Sequence, residues 1–419
     1  MTSATPGEAI PDSTDLLVVG AGPAGAAAAA QAAARGSDVV LLDAAVFPRD
    51  KTCGDGLTPR AVAGLHRLGM ADLLDGRPRI RGLELHGWGA SQRVAWPGAH
   101  RFGGYGSAIA RTELDDAIRR FAVGRGARMV SGTKAVGAQL IGGRIESVTV
   151  TRDGERHQIR ARDVIVADGV RSALGKSLGR QWHRNTAYGV AARSYAASAK
   201  SDHEWMGSHL ELRDPEGGLL PGYGWVFPLG DGTVNVGVGA LATAKRPASM
   251  ALRPIVEHYA RMVSDDWRLT SPPQRVASAL LPMGGAVSGV AGANWMLIGD
   301  AAACVNPLNG EGIDYAIETA AMAVEMLASE TDYATAWPAL LRAEYGTAFA
   351  AARRAAGLLT VPQTVPVLGR PGIRSAKLMS TVVRVMGNLL TADDADLIAR
   401  AWRSAGRVTS ALEERPPFS

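Results

Sequence analysis

The first residues whose types and spacing can do chemistry are Gly20-Ala21-Gly22-Pro23-Ala24-Gly25, a G-x-G-x-x-G run that follows the apolar segment Asp15 to Val19. At this spacing the first glycine permits a tight turn, the second lets backbone approach a pyrophosphate, and the third lets the following helix pack closely on the strand. The helix start also presents free N–H groups and partial positive charge to phosphates. Asp43 stands 23 residues after Gly20, at the end of the second apolar run Val39 to Leu42, where a carboxylate can bind ribose hydroxyls. Strand, glycines, Ala-rich helix and acid together describe a dinucleotide site.

Two later strand ends carry acids as well. The run from Val164 ends at Asp168-Gly169, and Trp295 to Ile298 ends at Gly299-Asp300, followed by Pro307-Leu308-Asn309-Gly310-Glu311-Gly312. Asp300 can hold a ribityl hydroxyl. The turn Gly310 to Gly312, with Ile313 opening a helix, can hold a flavin's pyrimidine carbonyl through backbone N–H groups and stabilise negative charge on the reduced ring. There is no second complete G-x-G-x-x-G unit, so no stably bound nicotinamide is implied and the electron donor stays unidentified. In this order the motifs resemble the FAD-dependent oxidoreductases of the glutathione-reductase-like, hydroxylase-type superfamily, over nearly the whole chain. The resemblance implies FAD as cofactor and places Arg111 along it.

A narrower resemblance rests on two intact segments. Pro48-Arg49-Asp50-Lys51-Thr52-Cys53-Gly54 fits P-x-x-K-x-C-G, and Tyr223-Gly224-Trp225-Val226-Phe227-Pro228 followed by Gly237-Val238-Gly239 fits Y-x-W-x-F-P…G-x-G. Both are similar to the geranylgeranyl reductase family, and within it to the branch acting on the menaquinone tail. The resemblance implies hydride transfer from reduced FAD to a C=C bond of menaquinone or another polyprenyl lipid, and sets Arg49, Cys53 and Gly54 against the cofactor. Flavin-dependent halogenases carry W-x-W-x-I-P instead, from which this chain departs at Tyr223 and Phe227. On a strand Tyr223, Trp225 and Phe227 face one way, as an apolar wall for a polyprenyl chain or as a core face. An isolated alkene also needs a proton, for which Cys53, Asp55 and Tyr223 are the candidates. The Cys53 loop either supplies a thiol or simply covers the flavin ring, and Cys304, set among alanines, reads as buried filler. Three rival readings remain: an FAD-dependent aromatic hydroxylase, a geranylgeranyl reductase acting on another lipid or a diphosphate, and a flavin-binding interaction protein that would leave the Cys53 loop without a use.

The elements that must position these residues define an α/β fold. A Rossmann-like FAD-binding domain is expected over 14–75, 106–181 and 282–345, an antiparallel-sheet substrate domain over 76–105 and 182–281, and a helical C-terminal segment over 346–419, broken through Pro362, Pro366 and Pro371. Thr112 and Asp115 suggest a capped helix start just after Arg111. Of 419 residues 47% are hydrophobic, enough for real cores, and two cysteines build neither a disulfide framework nor a four-thiolate metal site. No histidines stand at metal-ligand spacing, so no metal is expected. Two uncharged stretches, Leu16 to Ala34 and Val276 to Gly299, are interrupted by Gly and Pro and do not read as membrane spans. The first also lacks the preceding basic residues of a secretory signal. A net charge of +5 is too small for nucleic-acid binding. It is concentrated, however: Tyr345 to Ala392 contains no acid and six bases, Arg353, Arg354, Arg370, Arg374, Lys377 and Arg384. Interleaved with leucines and valines, these form either a basic amphipathic surface for a membrane or a solvated cap, and the expected location is cytoplasmic, peripheral to the membrane.

Overall fold

The computed structural model describes residues 9–98, 101–247, 251–329, 332–361, 363–391 and 393–419. Its first sheet is built on five parallel strands, in the order Trp295–Leu297, Glu155–Val166, Ser13–Val19, Val39–Leu42 and Arg128–Val130. Their central residues, Leu16 to Val19, Val39 to Leu42, Val164 to Val166 and Trp295 to Leu297, are all buried, as a parallel sheet covered on both faces requires. The Ala-rich helix Pro23–Ala34 packs against the helices Arg111–Gly124 and Ile313–Leu327. Its short side chains let all three approach closely. Glu155–Val166 extends beyond the parallel region and pairs antiparallel with Arg144–Arg152, which pairs with Lys134–Ile141.

The second sheet has seven strands, ordered Gln274–Leu281, Tyr188–Ala197, Thr233–Ala242, Gly222–Pro228, Trp205–His209, Gly82–Gly87 and Ala90–Ala95. The 82–95 hairpin thus joins strands more than 100 residues away, through a parallel pairing of Trp205–His209 with Gly82–Gly87. One face of this sheet is closed by the helix Leu252–Met262, whose Ile255, Val256, Tyr259 and Ala260 are buried against Val226, Val236 and Val238. This helix departs from the antiparallel sheet expected over 182–281, although its apolar residues stand at helical spacing in the sequence. The opposite face looks toward the first sheet and bounds the functional cavity.

Four helices, Thr347–Leu359, Thr364–Gly372, Ala376–Met386 and Leu397–Leu412, make up the C-terminal part. The expected proline break differs in detail. Pro366 and Pro371 lie inside Thr364–Gly372, Pro366 in its first turn, where a missing N–H leaves nothing unpaired; Pro362 lies outside the described residues. The helix after Arg111 also departs from expectation. It opens at Arg111 itself, so Thr112 falls inside the helix and the N-cap position goes to Ala110, which has no side-chain acceptor. Among the described residues no helix is long and apolar enough to cross a membrane, and the two uncharged stretches are strand and helix of the two sheets.

Candidate functional site

A cavity of about 1830 Å³ runs between the two sheets and under the C-terminal helices. Ligand pockets are commonly about 300–1,000 Å³, so it has room for a cofactor and a substrate together. Its nucleotide end is made of backbone. Gly20 sits at φ +103, and a Cβ there would lie 2.3 Å from the carbonyl oxygen of Ala167; one on Gly25 would lie 1.8 Å from the carbonyl oxygen of Gly20. No side chain caps the Pro23–Ala34 helix, which leaves its first-turn N–H groups to a ligand. The Asp43 carboxylate is oriented by the amides of Ala21 and Ala45, both at 2.8 Å. These features fit an FAD pyrophosphate and ribose.

The other sequence-derived positions take more varied roles. Lys51 reaches Asp300 at 3.1 Å, and Gly310 adopts φ +77 in the turn before Ile313. Gly22, Pro23, Ala24, Gly54, Gly169, Gly312 and Ile313 all line the cavity. Asp168 also lines it, but its oxygens accept from the Ser172 hydroxyl at 2.6 Å and the Leu174 amide at 2.9 Å, so it orders the turn that follows it. Arg111 and Arg49 converge on Asp115, the acid expected in a helix cap. Asp115, fully buried, takes two hydrogen bonds from Arg111 at 2.6 and 2.8 Å, and Arg49 stands 3.0 Å away. Burial alone would lower the Arg111 pKa, but the Asp115 carboxylate holds it well above its ordinary value, and the Cys53 sulfur adds to that pull when it carries negative charge.

At the other end, Tyr223, Trp225 and Phe227 project from one face of Gly222–Pro228, with ring centroids 5.9 and 6.1 Å apart. The strand register explains the spacing of the glycines that follow. Tyr223 lies opposite Gly239 and Trp225 opposite Gly237, and a Cβ on Gly237 would lie 2.2 Å from the Trp225 ring. The indole therefore lies flat across its neighbouring strand. The Cys53 loop descends onto these rings, since a Cβ on Gly54 would sit 3.1 Å from Phe227 and 3.3 Å from Trp225.

The three candidate acids are thereby separated. The Tyr223 hydroxyl donates to the carbonyl of Asn309 at 2.8 Å, and burial pushes its pKa well up, so it anchors the Asn309 turn. Asp55 is fully buried at φ +63, and both its oxygens face protein: one accepts from the Arg111 amide at 3.3 Å, the other from Tyr195 at 2.7 Å and Asn235 at 2.8 Å. Burial raises its pKa to about 6 against the opposing pull of those two hydrogen bonds and of Arg111 and Arg193. Cys53 alone of the three is half-buried in the cavity wall without a committed backbone partner for its side chain. Cys304 is buried, as expected of filler. Among the described residues no group of His, Cys, Asp and Glu can hold a metal ion.

An FAD cradle on a parallel sheet, facing a closed apolar wall, defines an FAD-dependent oxidoreductase, and the family described as FAD binding domain matches residues 13–345. The chain is 57% identical over 411 residues to the menaquinone reductase of Mycobacterium tuberculosis, covering 98% of this chain and all of that one. It is 30% identical over 363 residues to digeranylgeranylglycerophospholipid reductase 1 of Methanopyrus kandleri, covering 82% of this chain and 90% of that one. Among solved structures, the geranylgeranyl bacteriochlorophyll reductase-like protein of Thermoplasma acidophilum superposes with a TM-score of 0.74 at 19% identity, over 94% of this chain and 99% of that one. The chain belongs to the geranylgeranyl reductase family of FAD-dependent oxidoreductases, and FAD is its cofactor.

Proposed function

We propose that this chain saturates one C=C bond in the isoprenoid side chain of menaquinone. The observation that carries the reading is the row Tyr223, Trp225, Phe227, laid over Gly237 and Gly239 and facing the Cys53 loop inside one apolar cavity. Identity to the menaquinone reductases over nearly the full chain supports the choice of tail. FAD, when bound and reduced, supplies the hydride that adds to one alkene carbon. The aromatic wall orients the flat trisubstituted alkene and excludes water. The Cys53 thiol releases its proton to the other carbon, and the thiolate left behind lies beside the Arg111 guanidinium until solvent returns a proton. Arg49, Asp43, Asp300 and the Gly310 to Ile313 turn hold the cofactor.

The chain works, on this reading, at a membrane surface. Two of the six bases of the acid-free stretch are neutralised in space: Arg353 is buried against Glu413, and Arg384 pairs with Asp394 and Asp396. The other four, Arg354, Arg370, Arg374 and Lys377, are exposed beside Leu358, Val367 and Leu378, which are 63%, 72% and 46% exposed. Leu358 also lines the cavity. A basic rim around exposed leucines at a cavity mouth suits an anionic leaflet that holds the substrate.

Anaerobic single turnover tests the chemistry. Protein carrying reduced FAD is expected to be reoxidised by menaquinone with an unsaturated tail, the tail gaining two hydrogens by mass spectrometry. Reduced flavin that persists in the presence of that quinone overturns the proposal.

A further inference from the structure

The mechanism above uses Cys53 and Trp225 but leaves one fully buried polar side chain between them without a task. Asn235 is 0% exposed on Thr233–Ala242, in register with Tyr195 on one neighbouring strand and Phe227 on the other. Its Oδ1 accepts from the Trp225 indole N–H at 2.9 Å, while its Nδ2 donates to the Cys53 carbonyl at 2.9 Å and to Asp55 Oδ2 at 2.8 Å. The orientation of the amide is fixed by its partners. An indole N–H can only donate and a peptide carbonyl can only accept, so the two ends of the carboxamide cannot be exchanged.

We infer that Asn235 is a positioning residue of the reduction: its single carboxamide joins the Trp225 indole, the Cys53 backbone and the Asp55 carboxyl, so that the aromatic wall and the thiol keep a fixed separation. The inference rests on the reading of Trp225 as wall and Cys53 as proton source. Cys53 belongs to a loop rising from the first sheet and Trp225 to a strand of the second. Alkene reduction requires both to meet the same bond, and a misplacement of 1 Å can lower a rate by about 10²-fold. Asp55 is the loop's second anchor. Its carboxyl is faced by the Tyr195 hydroxyl and the Arg193 guanidinium from Tyr188–Ala197, by Asn235, and by the amide and guanidinium of Arg111. The backbone there is left-handed, an unfavourable state for aspartate, and is held by these bonds together with the Ile109 amide on the Asp55 carbonyl at 3.0 Å.

Two substitutions separate positioning from simple support. Asn235→Leu keeps the branched shape and the number of heavy atoms and removes all three hydrogen bonds. It is expected to retain FAD, to lower kcat by about 10²-fold with KM little changed, and to speed alkylation of Cys53 by iodoacetamide severalfold as the loop loosens. Asn235→Asp keeps the acceptor for Trp225 but sets a second carboxylate against Asp55. Two facing carboxylates hold one proton between them, and that O–H restores the donation to Asp55 while the one to the Cys53 carbonyl stays lost. This variant is expected to be active at low pH and to lose activity as pH rises past a limb displaced upward from that of the unmodified chain, a profile the leucine variant lacks. Unmodified kcat and alkylation rate in Asn235→Leu would overturn the inference, as would an unmodified pH profile in Asn235→Asp, which decides the matter if the leucine variant fails to fold. Alkylation needs no quinone. A loosened Cys53 in a chain that reduces no menaquinone would therefore sink the proposed function and leave the positioning role standing.

Discussion

The two ends of the cavity are built by opposite means. At the nucleotide end the contacts are backbone: Gly20 and Gly25 leave no room for a Cβ, and an uncapped helix offers its amides. At the aromatic end the contacts are side chains stacked in rows across three strands: Tyr195, Asn235 and Phe227 in one, Arg193, Gly237 and Trp225 in the next. The first end turns on one glycine run, with Ala167 and Asp43 brought beside it by the neighbouring parallel strands, and the second on the register of antiparallel strands far apart in the chain. The glycine run is a local signal for the cofactor, whereas the chemistry on the substrate needs two sheets in the right relation.

Gly25→Val drives a side chain into the carbonyl of Gly20 and is expected to give a chain without flavin, checked by the ratio of flavin to protein absorbance. Cys53→Ala should keep its flavin and lose about 10²–10⁴-fold in kcat for tail saturation, the span typical of a removed proton donor. Single-turnover reoxidation measures it. Gly237→Ala pushes on the indole of Trp225 and should lower turnover by about 10²-fold, again with flavin retained. If instead Gly237→Ala lost its flavin, the two ends would not be separable.

Smaller effects sharpen the contrast. The folded pKa of Asp55, about 6, lies above its ordinary value of 3.8, so its contribution to stability is complete below the unfolded pKa and is lost as pH rises through 6. Two units correspond to about 3 kcal/mol. Asp55→Asn is expected to flatten the fall in stability between about pH 4 and pH 7, read from urea midpoints at both ends of that range. Smallest of all, Lys377→Glu should weaken sedimentation with anionic vesicles by about 1 kcal/mol for the lost cation, and more for the reversed charge, while leaving turnover on detergent-dispersed quinone unchanged.

Much of the fold was legible because its signals are local. Buried apolar runs ending at Gly20, Asp43, Asp168 and Gly299 gave the parallel sheet, and the alternation of Tyr223, Trp225 and Phe227 gave a shared face. Asn235, Tyr195 and Asp115 were not legible. An asparagine in an apolar strand looks like any polar intrusion until register sets it beneath the Cys53 loop, and Asp115 matches a helix-cap pattern as readily as it receives two arginines. The acid-free stretch is likewise less basic in space than along the chain, since Glu413, Asp394 and Asp396 reach Arg353 and Arg384 from outside it.

The left-handed backbone of Asp55 also bears on the order in which the chain becomes an enzyme. That conformation is held from the helix Arg111–Gly124 and from two strands, Tyr188–Ala197 and Thr233–Ala242, the last through Asn235, 180 residues further along. Trp295–Leu297, Asp300 and the Gly310 to Ile313 turn all follow the second sheet in the chain, so the strands that hold the Cys53 loop are made before the nucleotide end is complete. Flavin and substrate wall are thus joined in one closing step, and a chain stalled before Trp295 has the wall without a finished cofactor site.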